Sequence, residues 1–196
     1  MKRSDIFAAI IIGEVSAWLI LLVFKNIRLE LPFWWIIPVI LPILSLIGMW
    51  LASILGKRLF IIYQASKFLL VGILNTLIDL GILNFLILIT GMASGLAFSF
   101  FKGASFLVAV VNSYFWNKFW TFKKKETTKD PKEFAQFFVV ALIGLGINVL
   151  IASFIVNVIG PQFGLSEKIW ANLGAIAATF FGMTWNFLGY KFIVFK

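Results

Sequence analysis

Long apolar runs dominate the chain, and short stretches that hold most of the charged residues separate them. A transmembrane helix requires about 20 mostly apolar residues, and six stretches meet that requirement. They cover residues 6–24, 33–55, 68–89, 103–122, 134–159 and 169–190. The pattern therefore predicts an all-α fold, a polytopic transmembrane bundle of six helices.

The composition supports this prediction and restricts the chemistry. Of 196 residues, 62% are apolar, whereas a soluble domain is nearer to about 45–50%. A globule of this size has too little interior to bury the excess. The chain has no Cys and no His, so it lacks a thiolate nucleophile and the usual general base. We therefore expect no enzyme activity, no catalytic residue, no cofactor and no metal.

The positions of the Lys and Arg residues predict the orientation. All but four of these 17 residues fall on the side of the six spans that holds both termini, the exceptions being Lys25, Arg28, Lys102 and Lys168. Because cytoplasmic loops carry the excess of Lys and Arg, both termini are expected in the cytoplasm, with the chain in the cytoplasmic (inner) membrane. The net charge of +9 then reports topology, and no nucleic-acid partner is expected.

Two parts of the chain resemble each other. The segment that begins at Ala65 matches the segment that begins at Phe134, and KFWTFK (118–123) matches KFIVFK (191–196). Each copy holds two predicted helices, an even number, which indicates a parallel internal repeat. We therefore expect repeat units at 65–123 and 134–196, a cytoplasmic linker at 124–133 and an appended transmembrane hairpin at 1–64. The charged linker is either a topology signal or a surface for anionic lipid or a partner.

The order of these motifs resembles a known family. KFLLVGILNTLIDLGILNFL, then NKFWTF, a charged loop and a second copy that ends in YKFIVF are similar to the GtrA-like family of small membrane proteins. The resemblance covers about residues 65–196 and implies a four-helix domain, so the hairpin is a departure from the usual chain. It also implies a role in moving polyprenyl-phosphate-linked sugars across a membrane, or in supporting a glycosyltransferase.

Polar residues inside the predicted spans are candidates for function, because an ionised side chain at the bilayer centre costs about 2.5–3.5 kcal/mol. Asp79 and Glu14 are the two acids near mid-span, and three other polar side chains fall at that depth: Asn112, Asn148 and Thr179. Asn75 lies one turn before Asp79 on the same helical face. We expect a polar layer inside the bundle, in which the amides either bind substrate or join helices. Glu14 is either a packing residue or a coupling acid.

A second set of candidates ends the fourth and sixth predicted helices. Its members are basic, aromatic or amide residues: Asn117, Lys118, Trp120, Asn186, Tyr190 and Lys191. A Lys ammonium suits a phosphate, and Trp or Tyr at headgroup depth suits a sugar or lipid neck. Ordinary anchoring in the interface is the alternative. With Asn75, Asp79, Asn112 and Asn148, these residues form the predicted substrate-binding set.

Small residues spaced by four predict close contacts between helices. In the sixth span Gly174, Ala178 and Gly182 have this spacing, and in the fifth span Ala141 and Leu145 have it, beside Gly144 and Gly146. A surface for a second copy of the chain is the alternative, so a homo-oligomer is a further expectation.

Three functions fit these observations. The first is translocation (flipping) of a polyprenyl-phosphate-linked sugar for cell-surface polysaccharide or glycan modification. The second is a non-transporting scaffold that anchors or feeds a cytoplasmic glycosyltransferase. The third is a proton-coupled exporter of small cations that uses Glu14 or Asp79. The expected partners are membrane lipid, a polyprenyl-phosphate-sugar and a glycosyltransferase.

Overall fold

Six α-helices form the architecture, and the part of the chain described here contains no strand. The computed structural model describes residues 1–26, 29, 32–92, 95–123, 131–164 and 167–195. The helices are α1 (Arg3–Asn26), α2 (Ile37–Leu55), α3 (Phe60–Thr90), α4 (Gly95–Trp116), α5 (Pro131–Ser153) and α6 (Glu167–Gly189). The predicted all-α fold with six helices is confirmed.

The helices have the length and surface of membrane spans. Within the described residues, three helical stretches qualify by length and mean hydropathy: Arg3–Asn26, Trp34–Leu55 and Phe60–Thr90. Helices α4, α5 and α6 contain 22, 23 and 23 residues, which at about 1.5 Å per residue matches a hydrocarbon core of about 30 Å. Large apolar side chains such as Phe100, Leu150 and Phe180 are exposed on them, as expected for surfaces that face lipid.

Five of the six helices begin earlier than the apolar runs predict, α1 by three residues and α6 by two. Helix α3 begins at Phe60 rather than residue 68, because Gln64 and Lys67 interrupt the apolar run but are buried inside the protein. Helix α4 begins at Gly95 rather than residue 103, and α5 begins at Pro131 rather than residue 134. Proline is favoured in the first turn of a helix, so 131–133 of the predicted linker are helical, and 124–130 lie outside the described residues.

The chain divides into two compact units, residues 1–123 and 124–196. In the first unit α1 packs against α2 and α3, and α3 packs against α4. In the second unit α5 packs against α6. The core of the first unit joins apolar residues from four segments: Ala8, Ala9, Ile12, Met49, Val71, Leu74 and Trp120. The predicted division into a hairpin (1–64) and a domain (65–196) stays a prediction.

Close approach of backbones confirms the predicted small-residue packing at two positions of the second unit. A Cβ at Gly144 would overlap the Asn186 side chain, and a Cβ at Gly182 would lie 3.0 Å from the Gly144 carbonyl oxygen. No atom of the described residues would lie within 4 Å of a Cβ at Gly146. The surroundings of Gly174 are outside the described part of the chain. Gly144 and Gly182 therefore mark the contact between α5 and α6.

Helices α4 and α6 continue into matching π-helical turns, Asn117–Thr121 and Tyr190–Val194. The Phe122 amide donates to the Asn117 carbonyl oxygen at 2.8 Å, and the Phe195 amide donates to the Tyr190 carbonyl oxygen at the same distance. These turns fall on the two copies of the KFxxFK motif. The repeat thus extends to the local backbone, and π-helical turns occur frequently at functional sites.

Candidate functional site

A buried ion pair lies at the end of the first unit where α1 begins. We call Asp5, Tyr63, Lys67 and Trp120 the Asp5 cluster. Asp5 and Lys67 are 0% and 2% exposed, and the Lys67 Nζ donates to the Asp5 Oδ1. The Trp120 Nε1 donates to the same oxygen at 3.0 Å, and the Tyr63 hydroxyl donates to the Oδ2 at 2.8 Å. These donors compensate the carboxylate for its loss of water.

Two aromatic rings complete the surroundings of the Lys67 ammonium. Its Nζ lies 4.7 Å from the Tyr63 ring centroid and 5.1 Å from the Trp120 ring centroid. Cation–π contacts of this kind stabilise a desolvated cation. Sequence reasoning treated Lys67 as a topology signal and did not single out Asp5. The available signal was a Lys and a Gln at helical spacing at the edge of an apolar run.

An aromatic groove opens beside the Asp5 cluster. It has a volume of about 310 Å³ and is lined by five residues of α4 and its π-helical turn: Asn112, Phe115, Trp116, Phe119 and Trp120. The Trp116 and Trp120 rings meet edge to face with centroids 5.6 Å apart. The structure thus brings two predicted binding residues, Asn112 and Trp120, to one concave surface, which we call the aromatic groove.

Lys118 lies on the same π-helical turn as Trp120. It is 3% exposed, and its Nζ donates to the Tyr114 hydroxyl at 3.1 Å and lies 5.8 Å from the Phe119 ring centroid. Phe119 also lines the aromatic groove. The predicted phosphate-binding Lys118 is therefore held in a mostly aromatic environment next to the groove, where an ammonium attracts an anion more strongly than in water.

Buried polar oxygens accompany Lys118 in this end of the unit. Asn117 is 1% exposed and donates through its Nδ2 to the Ser113 carbonyl oxygen at 2.9 Å. The Gln64 Nε2 donates to the Thr121 carbonyl oxygen at 3.4 Å. The Asn117 Oδ1, the Gln64 Oε1 and the Thr121 Oγ1 have no hydrogen-bond partner among the described residues. These oxygens can accept hydrogen bonds from a hydroxyl-bearing ligand.

Two polar pairs join α3 and α4 deeper in the first unit. The Asn112 Nδ2 donates to the Asn75 Oδ1 at 2.6 Å, and the Ser105 Oγ donates to the Asp79 Oδ1 at 2.6 Å. Asn75 and Asp79 are one helical turn apart. The structure therefore places Asn75, Asp79 and Asn112 together between helices, and it adds Ser105, which the sequence analysis did not select.

A further polar pair lies on the side of α3 that faces α1, since the five residues from Asp79 to Asn84 turn the helix by about 140°. The Asn26 Nδ2 of α1 donates to the Asn84 Oδ1 of α3 at 2.6 Å. We call the α3 residues Lys67, Asn75, Asp79 and Asn84, with their partners, the polar ladder. From Lys67 to Asn84 the helix rises about 26 Å at about 1.5 Å per residue. The polar ladder therefore extends over most of a hydrocarbon core of about 30 Å.

Four predicted site residues lie in the second unit: Asn148, Asn186, Tyr190 and Lys191. Tyr190 is 3% exposed and stacks on Phe137 with ring centroids 4.2 Å apart. Lys191 lies over the Phe187 and Phe192 rings at 5.8 and 5.5 Å. The Asn186 Oδ1 is buried without a partner among the described residues. Asn148 lies against Gly182.

A second groove occupies the equivalent place in the second unit. It has a volume of about 380 Å³, and Trp185 and Ile193 line it where Asn112 and Trp120 line the first. The Trp185 Nε1 donates to the Val140 carbonyl oxygen at 3.1 Å. Lys132 and Gln136 also line it, and one aromatic residue takes the place of the four in the aromatic groove, so the two grooves differ in chemistry.

Glu14 lies apart from these clusters within the described part of the chain. Glu14 is half-buried and accepts a hydrogen bond at 2.7 Å from the Nε1 of Trp18, an exposed residue of the same helix. The Thr179 side chain lies outside the described residues. The role of Glu14 as a coupling acid stays a prediction.

Comparison with known proteins identifies the family. Residues 67–195 match the family described as "GtrA/DPMS, transmembrane domain". The chain belongs to this family. An uncharacterized membrane protein of Bacillus subtilis (strain 168), YngA, is 34% identical over 130 residues, which are 66% of this chain and 78% of that protein. No solved structure matches the chain.

Membership of the GtrA/DPMS family confirms the resemblance read from the sequence and establishes a membrane protein. It associates the chain with the handling of glycan precursors at a membrane. The family match begins at Lys67, so Asp5 and Tyr63 lie outside it. The Asp5 cluster therefore joins the N-terminal helices to the GtrA/DPMS domain through Lys67 and Trp120.

Proposed function

We propose that the chain flips a polyprenyl-phosphate-linked sugar across the cytoplasmic membrane for cell-surface polysaccharide or glycan modification. The observation that carries this proposal is the polar ladder, which extends over about 26 Å of α3 inside a family of glycan-precursor membrane proteins. A sugar headgroup cannot cross hydrocarbon without losing its hydrogen bonds to water. The pairs Asn75–Asn112, Asp79–Ser105 and Asn26–Asn84 of the ladder offer it replacement partners at successive depths.

The aromatic groove is the proposed entry point for the substrate at the cytoplasmic side. The faces of Trp116 and Trp120 suit an isoprenoid chain or the apolar face of a sugar ring. Lys118, next to the groove, attracts the phosphate, because an ammonium acts as a point charge for it. Oxygens of Asn117 and Thr121 without a partner among the described residues accept from the sugar hydroxyls.

Inside the membrane, the pairs Asn75–Asn112 and Asp79–Ser105 act in turn. Each pair exchanges its mutual hydrogen bond for bonds to sugar hydroxyls as the headgroup passes. An exchange of this kind changes the number of hydrogen bonds little, which keeps the barrier low. Asp79 supplies the carboxyl group of these two pairs, and its two oxygens can bond to more than one sugar hydroxyl.

Periodate protection in vesicles tests this proposal. Vesicles contain a polyprenyl-phosphate-hexose in both leaflets, and membrane-impermeant periodate oxidises the vicinal diols that face outward. With the wild-type chain, the inner-leaflet pool is expected to become oxidised as flipping exposes it. The Asp79→Ala variant is expected to leave that pool protected, because the pairs between α3 and α4 lose their carboxyl group.

Thr76→Val is the matched control on the same helix. Thr76 is exposed, and its hydroxyl donates to the Gly72 carbonyl oxygen of its own helix, so this variant is expected to flip like the wild type. Full transport by Asp79→Ala would contradict the role of Asp79. Loss of transport in both variants would indicate damage to α3 rather than loss of a binding group.

A scaffold for a glycosyltransferase is the second candidate. The observation in its favour is that the aromatic groove, Lys118 and the buried oxygens of Asn117 and Thr121 all lie at one end of the first unit. A groove at one end suffices to hold and present a lipid without moving it. Tight binding of a polyprenyl phosphate, no flipping and copurification of a transferase would support this function instead.

A further inference from the structure

The Asp5 carboxylate comes from outside the family match, but its partners Lys67 and Trp120 lie within it. Trp120 also lines the aromatic groove. One oxygen, the Asp5 Oδ1, accepts from both the Lys67 ammonium and the Trp120 indole. The N-terminal helix α1 therefore contacts the groove through a single buried acceptor.

Packing of α1 fixes this acceptor in place. One and two turns after Asp5, the side chains of Ala8, Ala9 and Ile12 are buried in the core of the first unit. A Cβ at Gly13 would lie 2.5 Å from the Pro42 Cα, so α1 also contacts the backbone of α2. Because α1 cannot move outward without losing these contacts, Asp5 is a permanent counter-ion of Lys67 rather than a group that a ligand displaces.

The hydrogen bond from Trp120 determines how the indole ring lies. A Trp side chain turns about two torsion angles, and a bond of its Nε1 to a buried carboxylate restricts both. With the ring so held, its edge meets Trp116 at an interplanar angle of 78°, and both rings form the wall of the groove. An indole without this acceptor would be free to turn toward another partner and change the shape of the wall.

We propose that Asp5 is a positioning residue that shapes the aromatic groove for an isoprenyl phosphate by holding Trp120. The proposal rests on the proposed function for the identity of the ligand. It assigns to the N-terminal helix, which the family match does not include, a direct effect on substrate binding. Asp5 itself does not contact the ligand.

Two double variants separate this effect from folding. Asp5→Leu with Lys67→Met removes the ion pair and the acceptor, whereas Asp5→Asn with Lys67→Met removes the ion pair but keeps an amide oxygen for the Trp120 Nε1. Replacing a buried ion pair by uncharged residues of similar volume is often neutral or stabilising. Both variants are therefore expected to fold, and they differ at residue 5 in whether Trp120 has an acceptor.

Binding of farnesyl phosphate to the purified full chain in lipid nanodiscs is the first measurement. The double variant with Asp5→Leu is expected to bind farnesyl phosphate about tenfold more weakly than the wild type. This is the size of effect that follows from losing a hydrogen bond to a buried group. The Asn variant is expected to bind like the wild type. Trp120→Phe alone is expected to lose as much affinity for farnesyl phosphate as Trp120→Phe combined with Asp5→Leu and Lys67→Met, because the effects of coupled residues are not additive.

Quenching of Trp120 fluorescence by acrylamide is the second measurement, and it needs no ligand. The Trp120 signal is taken as the difference between each protein and its Trp120→Phe form. Quenching is expected to rise in the Leu variant and to stay low in the Asn variant. Equal quenching and equal affinity in both variants would overturn the positioning role. A wild-type chain that does not bind farnesyl phosphate would overturn the proposed function, while quenching would still decide the role of Asp5.

Discussion

Asp5 and Lys67 lie 62 residues apart and form one buried ion pair. Both charged side chains are buried from solvent. Hydrogen bonds from Tyr63 and Trp120 therefore replace those that the Asp5 carboxylate would form with water. A buried pair adds little stability over two apolar residues, but an unpaired buried charge is strongly destabilising. The two residues are therefore expected to depend on each other.

Asp5→Ala is predicted to lower the free energy of unfolding by about 3–5 kcal/mol, because it leaves the Lys67 ammonium buried without its counter-ion. Adding Lys67→Met to this variant is predicted to restore most of the loss. Denaturant unfolding in detergent micelles measures both effects. Glu14→Gln, at a half-buried position of the same helix, serves as the control. An Asp5→Ala variant as stable as the control would show that the pair is not buried as described.

Lys118→Gln is predicted to weaken binding of a polyprenyl phosphate about tenfold or more, since it removes a charged donor beside the groove. Lys57→Gln at an exposed position changes the net charge equally and is predicted to bind like the wild type. Native mass spectrometry of the copurified lipid and titration in nanodiscs measure this difference. Equal weakening by both variants would mean that only the overall charge matters.

Sequence reasoning found some of these residues and missed others for a physical reason. Asn75 and Asp79 were identifiable because a polar side chain in an apolar run is costly and their spacing puts them on one face. Asp5 was not, because it lies in the first turn of α1, where an acid is favourable on its own. Its pairing with Lys67 depends on how α1 packs against α3. The spacing of residues along the sequence does not predict that packing.

The apolar runs predicted which segments form helices, but they did not predict the residues at which those helices begin. A run ends at the first polar residue, whereas α3 continues through Lys67 and Gln64 back to Phe60 because tertiary contacts bury both side chains. The matching π-helical turns at the ends of α4 and α6 were visible in the sequence only as repeated letters. Aromatic residues pack around these turns, such as Tyr190 on Phe137, and this packing joins residues that are far apart in the sequence.

Gly144→Ala is predicted to destabilise the second unit, because the added Cβ would overlap the Asn186 side chain at the α5–α6 contact. Gly146→Ala is the matched control two residues along the same helix, where the Cβ would meet nothing within 4 Å among the described residues. That control is predicted to be neutral or stabilising by up to about 1 kcal/mol from helix propensity alone. Thermal unfolding in detergent compares the two, and equal behaviour would place Gly144 away from α6.

The topology of the whole molecule is testable because the chain has no natural Cys. Single substitutions Lys57→Cys and Lys123→Cys are predicted to react with a membrane-impermeant maleimide only after cell lysis, since both lie on the expected cytoplasmic side. Met92→Cys and Gln162→Cys are predicted to react in intact cells. The opposite labelling pattern would reverse the orientation, and labelling of all four positions in intact cells would refute the expected spans.

The central claim for the whole molecule is that this chain alone moves a lipid-linked sugar between leaflets. Periodate protection in vesicles that contain only the purified chain and a polyprenyl-phosphate-hexose measures this most directly. The account predicts that the inner-leaflet sugar becomes oxidised with wild-type protein and stays protected in protein-free vesicles. Inner-leaflet sugar that stays protected, while the chain binds the same lipid in nanodiscs, would contradict flipping and leave the scaffold as the function.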